Sequence, residues 1–88
     1  MQEKDFIIKN KLGLHARPAA LLVQCAAKFK SKIKIVKDGQ EVDGKSIMGL
    51  MTLAASAGSS IIIIADGEDE KEALGSISSL IESGFGEE

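Results

Sequence analysis

Tryptophan and tyrosine do not occur among the 88 residues, phenylalanine occurs three times, and cysteine, histidine and proline occur once each. Each scarcity removes a class of function. With three phenylalanines as the only aromatic side chains, there is no stacking platform for bases. A formal net charge of -2, from 11 Lys and Arg against 13 Asp and Glu, gives no general attraction to nucleic acid or to an anionic membrane. Neither kind of partner is expected. Cys25 alone cannot close an internal disulfide, and no positively charged, apolar leader opens the chain, so the cytoplasm is the expected compartment. One histidine cannot form a metal pair, and neither a metal nor another cofactor is expected.

Uncharged stretches of membrane length are also rare. The exception covers 46–65, 20 residues without a charge, but Ser56, Gly58, Ser59 and Ser60 interrupt it and β-branched isoleucines crowd one end. We read a helix, a turn and a strand there. The full length, 1–88, makes one small domain whose modest core leaves no room for a deep, multi-residue active site.

Phe6, Ile7 and Ile8 form a short apolar run, a first strand that exits through Lys9 and Asn10 toward Gly13. Over 16–29, Ala19, Leu22, Val23, Ala26 and Phe29 recur at helical spacing. Residues 32–37 alternate lysine and isoleucine before Val36, and Asp38-Gly39 is a two-residue hairpin signal leading into a polar strand over 40–42, suited to a sheet edge. Ser46 stands as an N-cap ahead of Ile47, Met48, Leu50, Met51 and Leu53, a brief helix. The four isoleucines at 61–64 predict a central strand closed by Asp66-Gly67. Glu68, Asp69, Glu70 and Glu72 crowd the positive end of a last helix, whose stripe is Ala73, Leu74, Ile77, Leu80 and Ile81 and whose stop is Gly84. Glu87-Glu88 is expected to fray. The order βαββαβα with one hairpin predicts an α+β layer pair, an antiparallel sheet with helices on one face.

The only histidine sits in the run Asn-Lys-Leu-Gly-Leu-His-Ala-Arg-Pro-Ala at 10–19, directly before the first helix. With His15 as N-cap, Ala16, Arg17 and Pro18 form the first turn, where backbone N–H groups have no intrahelical acceptor and a proline leaves none orphaned. Those amides and the helix dipole attract an anion, and Arg17 adds a permanent charge whose fork matches phosphate oxygens. The same positive field favours neutral imidazole, a nucleophile for phosphoryl groups. No carboxylate lies within 10–19, and Cys25 lies nearly three turns along the helix. A hydrolase using His15 as base therefore lacks its other parts. A group held between two enzymes needs fewer, because phosphoryl transfer is chiefly positioning and electrostatics. From these residues alone, a capping or solvated histidine without chemistry is an equally open reading.

The helix over 47–53 is apolar around most of its circumference, so one side must face the sheet and another solvent. Methionines adapt to different partner surfaces. Ile47, Met48 and Met51, with Ala20 and Gln24 of the first helix, are expected to form a docking patch near His15; the alternative places both methionines in the core.

At 13–19, Gly-Leu-His-Ala-Arg-Pro-Ala resembles the phosphorylation segment of HPr, the family of histidine-containing phosphocarriers of the bacterial sugar phosphotransferase system. At 45–51, Lys-Ser-Ile-Met-Gly-Leu-Met resembles the regulatory serine segment of members from bacteria that have an HPr kinase/phosphorylase. Length and element order match across essentially the whole chain. The resemblance implies an open-faced sandwich, a four-stranded antiparallel sheet in the order 1-4-2-3 with three helices on one face. It implies a carrier rather than an enzyme, with His15 taking phosphate on Nδ1 from phosphorylated enzyme I, which phosphoenolpyruvate charges, and passing it to the EIIA component of a sugar permease. Arg17 would assist transfer, and Ala16, Arg17 and Pro18 would make the phosphate stop. Ser46 would take a regulatory phosphate that obstructs enzyme I docking and creates a contact for a transcriptional regulator, linking the protein to carbon catabolite regulation. A monomer is expected.

Parts of the chain depart from that pattern. Leu12 stands where many members carry a small polar residue, and Ala54 where glycine is common. Asn10-Lys11-Leu12-Gly13 and Ser83-Gly84-Phe85 resemble instead the nitrogen-related NPr branch, which relays phosphate to regulatory partners. His15 itself sets the chain apart from the paralogue in which that histidine is replaced. A binding-only regulatory module is the remaining alternative.

Overall fold

The computed structural model describes residues 1–86; the Glu87-Glu88 tail lies outside the described residues. The elements follow the order β1 (Gln2–Ile7), α1 (Ala16–Ala27), β2 (Lys32–Lys37), β3 (Gln40–Asp43), α2 (Ile47–Leu53), β4 (Ser60–Asp66) and α3 (Glu70–Glu82), with a 3-10 turn over Gly84–Gly86. The sheet order is β1-β4-β2-β3, every neighbouring pair antiparallel. β4 is central as its isoleucine run requires: Gln2 pairs with Ala65 and Ile7 with Ser60 on one side, and Ile33 pairs with Ala65 and Val36 with Ile62 on the other.

Alternation along the strands puts the core on one face. Ile61, Ile63 and Ala65 of β4 and Ile33 and Ile35 of β2 are buried, whereas Lys32 and Lys34 are exposed on the opposite face. The buried residues meet Ala19, Leu22 and Ala26 of α1, Leu50 and Leu53 of α2, and Ala73, Ile77 and Ile81 of α3 in one cluster. Each fully buried Leu or Ile contributes about 1.5–3 kcal/mol, so this shared core is what holds three short helices in place. At the hairpin, Asp38 and Gly39 both have positive φ (51° and 81°), the geometry whose twist matches the flanking strands.

Several boundaries differ from those expected. β1 begins at Gln2 and takes in Glu3, Lys4 and Asp5, because an edge strand needs an apolar residue only on the side facing the helices; here that is Phe6. Ile8, expected inside the strand, has left the ladder, and its N–H and C=O bond to Ser59 O and Gly58 N. α1 stops at Ala27, since Lys28 N–H turns to Cys25 O and Phe29 N–H to Ala26 O, the three-residue bonds of a closing turn. β3 extends through Asp43, and β4 gains Ser60, Ala65 and Asp66.

α3 starts at Glu70 rather than amid Glu68 and Asp69. Asp69 is the N-cap of α3 but makes no side-chain cap bond; its carboxylate instead accepts from Lys30 N–H (2.9 Å), Ser31 N–H (3.0 Å) and the Ser31 hydroxyl, tying α3 to the turn between α1 and β2. The Ser31 hydroxyl first, with the amides behind it, holds this carboxyl below the usual carboxylate range. At the other end, Gly84 adopts φ +68° and stops α3 as expected. Among the described residues no helix is long and apolar enough to cross a membrane, and 46–65 is a helix, a turn and a strand.

Candidate functional site

His15 is the N-cap of α1, with extended backbone (φ -80°, ψ -170°), and its carbonyl accepts the first helical bond, from Ala19 N–H at 3.0 Å. Its side chain is half-buried and does not cap the helix. The first turn therefore runs Ala16, Arg17, Pro18, and no acidic residue occupies it. Ala16 and Arg17 are exposed, and their N–H groups precede any possible intrahelical acceptor. Pro18, expected as part of the phosphate stop, is fully buried and has no N–H; its contribution is the fixed φ that starts the helix, not a bond to an anion.

The loop that delivers His15 is anchored at several points. Asn10 is buried, and its Nδ2 donates to Gly13 O at 2.6 Å while Gly13 N–H donates to Asn10 O at 3.1 Å. Leu14 N–H donates to Ala55 O at 2.8 Å and its side chain enters the core. Gly13 has φ +69°, and a Cβ there would lie 2.5 Å from Ala55 O, so only glycine fits. These contacts join the His15 loop to the segment after α2. Ala54 is left-handed (φ 50°, ψ 41°) and caps α2 through its N–H to Met51 O.

Ser46 caps the other end of α2, its Oγ accepting from Gly49 N–H at 3.1 Å. Lys45 beside it donates from Nζ to Phe29 O at 2.8 Å, beyond the C-terminus of α1. α2 buries Leu50 and Leu53 and turns Ile47 (44% exposed), Met48 (79%) and Met51 (44%) to solvent, so neither methionine belongs to the core. Gln24 is exposed and Ala20 half-buried on α1, which packs against α2. Leu12 is a further exposed apolar residue, 76% accessible on the His15 loop.

Asn10 and Leu12 gained no site role from sequence reasoning. An asparagine three residues before a glycine was the available signal for the first, since short amide side chains bond to nearby backbone in turns.

The arrangement is open. A surface hollow of about 420 Å³ against β2 and β3, lined by Lys34 and Val42 among others, and one of about 450 Å³ between α1 and α3, lined by Leu21, Cys25 and Leu80, both exclude His15. Burial pushes the Cys25 thiol up, away from the reactive thiolate. Among the described residues no group of three or more His, Cys, Asp or Glu could hold a metal ion. His15 thus stands at the head of a helix whose first turn carries the exposed Ala16 and Arg17 and no acidic residue.

The family model described as "PTS HPr component phosphorylation site" matches residues 2–83. The chain is 49% identical to the phosphocarrier protein HPr of Cupriavidus necator over 87 residues, covering 99% of this chain and 98% of that one. The crystal structure of HPr-C-His from Thermoanaerobacter tengcongensis superposes with a TM-score of 0.97 at 55% identity, covering 100% of this chain and 99% of that one. Crh of Bacillus subtilis, described as a catabolite repression containing protein and crystallised as a dimer with a swapping domain, matches at 47% identity and a TM-score of 0.76 over 94% of this chain and 95% of that one. The chain thus belongs to the HPr family, in which the protein is a phosphocarrier of the phosphotransferase system and not an enzyme.

Proposed function

We propose that His15 carries the phosphoryl group, taking it on Nδ1 from phosphorylated enzyme I and giving it to an EIIA component in the cytoplasm. The observation that carries this reading is the helix start: His15 as N-cap, Ala16 and Arg17 amides without intrahelical acceptors, Arg17 in the same turn and no acid there. In transfer, the Nδ1 lone pair forms the N–P bond as the donor's bond to phosphorus breaks, and the reverse exchange discharges the carrier. The two amides and Arg17 meet the charge on the phosphoryl oxygens, which leaves the donor and acceptor enzymes to supply the remaining groups. The test is intact mass after incubation with enzyme I and phosphoenolpyruvate. An acid-labile, phosphate-sized gain, abolished by His15→Ala, supports the assignment; a gain that survives His15→Ala refutes it.

Ile47, Met48, Met51, Ala20 and Gln24 are the proposed docking surface for both enzymes, on the strength of the exposure of Ile47, Met48, Met51 and Gln24 on two helices that pack together, with the half-buried Ala20 between them and the His15 turn. Ser46 is the proposed site of an HPr kinase/phosphorylase. A phosphate there adds about -1.5 to -2 charge beside the docking surface, which would hinder enzyme I and suit a transcriptional regulator. In this reading the carrier works as a monomer, and size-exclusion chromatography with light scattering decides between that and a swapped dimer of the kind crystallised for Crh.

A second reading concerns the recipient. Leu12 adds an exposed apolar side chain to the His15 loop, and with Asn10 and Lys11 it follows the NPr pattern, so a regulatory EIIA is the alternative acceptor. Comparing discharge rates to sugar-specific and nitrogen-related EIIA proteins separates the two.

A further inference from the structure

We infer that Asn10 is a positioning residue for His15, holding the turn that aims the imidazole along the start of α1; the inference rests on the reading of His15 as the phosphoryl acceptor. Asn10 is only 2% exposed although Lys9 and Lys11 on either side are in solvent. A polar amide is retained in such a place by the bonds it makes. Its Nδ2 donates to Gly13 O at 2.6 Å, and Gly13 N–H donates back to Asn10 O at 3.1 Å, so the same two residues close the turn twice.

The Gly13-Leu14 peptide, whose carbonyl accepts from Asn10, is also fixed to the segment after α2. Leu14 N–H reaches Ala55 O at 2.8 Å, and Gly13 packs so tightly that an added Cβ would come within 2.5 Å of Ala55 O and 2.8 Å of Ser56 Cα. There is no slack in this direction. The carbonyl held by the Asn10 side chain belongs to this same planar peptide, which is thus pinned at both of its polar groups, the N–H by Ala55 and the C=O by Asn10. His15 follows that peptide by one residue, and its extended backbone sets the imidazole relative to the Ala16 and Arg17 amides. Removing the Nδ2 donor therefore loosens the aim of the ring while the exposed side chains of α1 and α2 stay where they are. Asn10 acts through Gly13 and Leu14 and has no part in the bonds made to phosphorus.

Two substitutions test this. Asn10→Asp keeps the shape but, ionised, offers only acceptors, and Asn10→Ala removes the side chain. With folding checked by circular dichroism at the assay temperature, transfer from phosphorylated enzyme I should lose about tenfold or more in kcat with KM within about twofold, because misaimed reacting groups lower the first-order step and leave docking intact. In the unphosphorylated variants, Leu14 amide exchange should quicken and the His15 ring resonances should shift. A folded variant with wild-type kcat, or one that raises KM alone, overturns the proposal; so does loss of the fold in both variants, which would make Asn10 a stability element. If the wild type takes no phosphate, the reading of His15 fails, and the NMR measurement still decides on Asn10: unchanged Leu14 exchange and ring resonances in Asn10→Asp would overturn the positioning role.

Discussion

Replacing Met48 with glutamate separates the docking surface from the fold. Met48 is 79% exposed on α2, whose attachment to the core depends on Leu50 and Leu53 on the opposite side. The substitution removes little buried area, so unfolding free energy should move by no more than about 0.5 kcal/mol. In the complex the same side chain would be covered by the partner. Full burial of a methionine contributes about 1.5–3 kcal/mol, and a carboxylate in its place would also have to shed water against an apolar surface. Losing the methionine's contribution weakens association by roughly tenfold to a hundredfold, at about 1.4 kcal/mol per factor of ten. The assay is steady-state transfer from phosphorylated enzyme I over a range of carrier concentrations, paired with urea unfolding of the free variant. KM should rise by that factor with kcat near wild type. An unchanged KM would place Met48 outside the interface, and loss of cooperative unfolding would refute its position on the exposed side of α2.

Other outcomes follow from the caps and turns. Ser46→Ala should cost about 1 kcal/mol in urea unfolding by removing the acceptor for Gly49 N–H, with transfer unimpaired. Ser46→Asp should keep the cap and stability yet take phosphate from enzyme I more slowly; equal transfer rates in both variants would count against charge at this position as the regulatory signal. Ala54→Gly should stabilise the protein by roughly 0.5–1 kcal/mol in thermal or urea unfolding, because it relieves a left-handed L-residue at φ 50° while giving back part of the gain as unfolded-chain entropy. Asp69 has a folded carboxyl lowered by Ser31 and the Lys30 amide, so its contribution is present above the unfolded carboxylate value near 3.9 and is lost as pH falls through the lower folded value. Asp69→Asn should accordingly flatten the acid side of a stability-versus-pH curve measured by urea titration.

The periodicities that carry one side of an element to the core were readable directly. Ile33 and Ile35 in β2, the isoleucines of β4 and the Leu22–Ala26 spacing in α1 each impose a buried face, and the positive-φ pair Asp38-Gly39 sets the hairpin. β1 was only half legible, because Glu3, Lys4 and Asp5 satisfy an edge strand through backbone pairing with β4 and not through hydrophobicity. The acidic start of α3 was legible, with Asp69 at the N-cap and Glu70 and Glu72 in the first turn, but the reach of the Asp69 carboxylate to a turn 38 residues earlier in the chain was not.

Within the site, the local relations of His15, Arg17 and Pro18 followed from the rules of a helix's first turn. The anchoring of the loop by Ala55 depends on two chain segments about 40 residues apart meeting in space, which no local pattern encodes.

The proposed relay requires that one side chain, His15, be charged by one protein and discharged by another. Intact-mass spectrometry of the carrier, first with enzyme I and phosphoenolpyruvate and then after removal of enzyme I and addition of EIIA, follows both halves in one sample. A phosphate-sized gain on His15 should disappear when EIIA is added, with EIIA gaining the same mass. A phosphate that stays on the carrier, or one that moves to EIIA equally well from the His15→Ala variant, would contradict the relay.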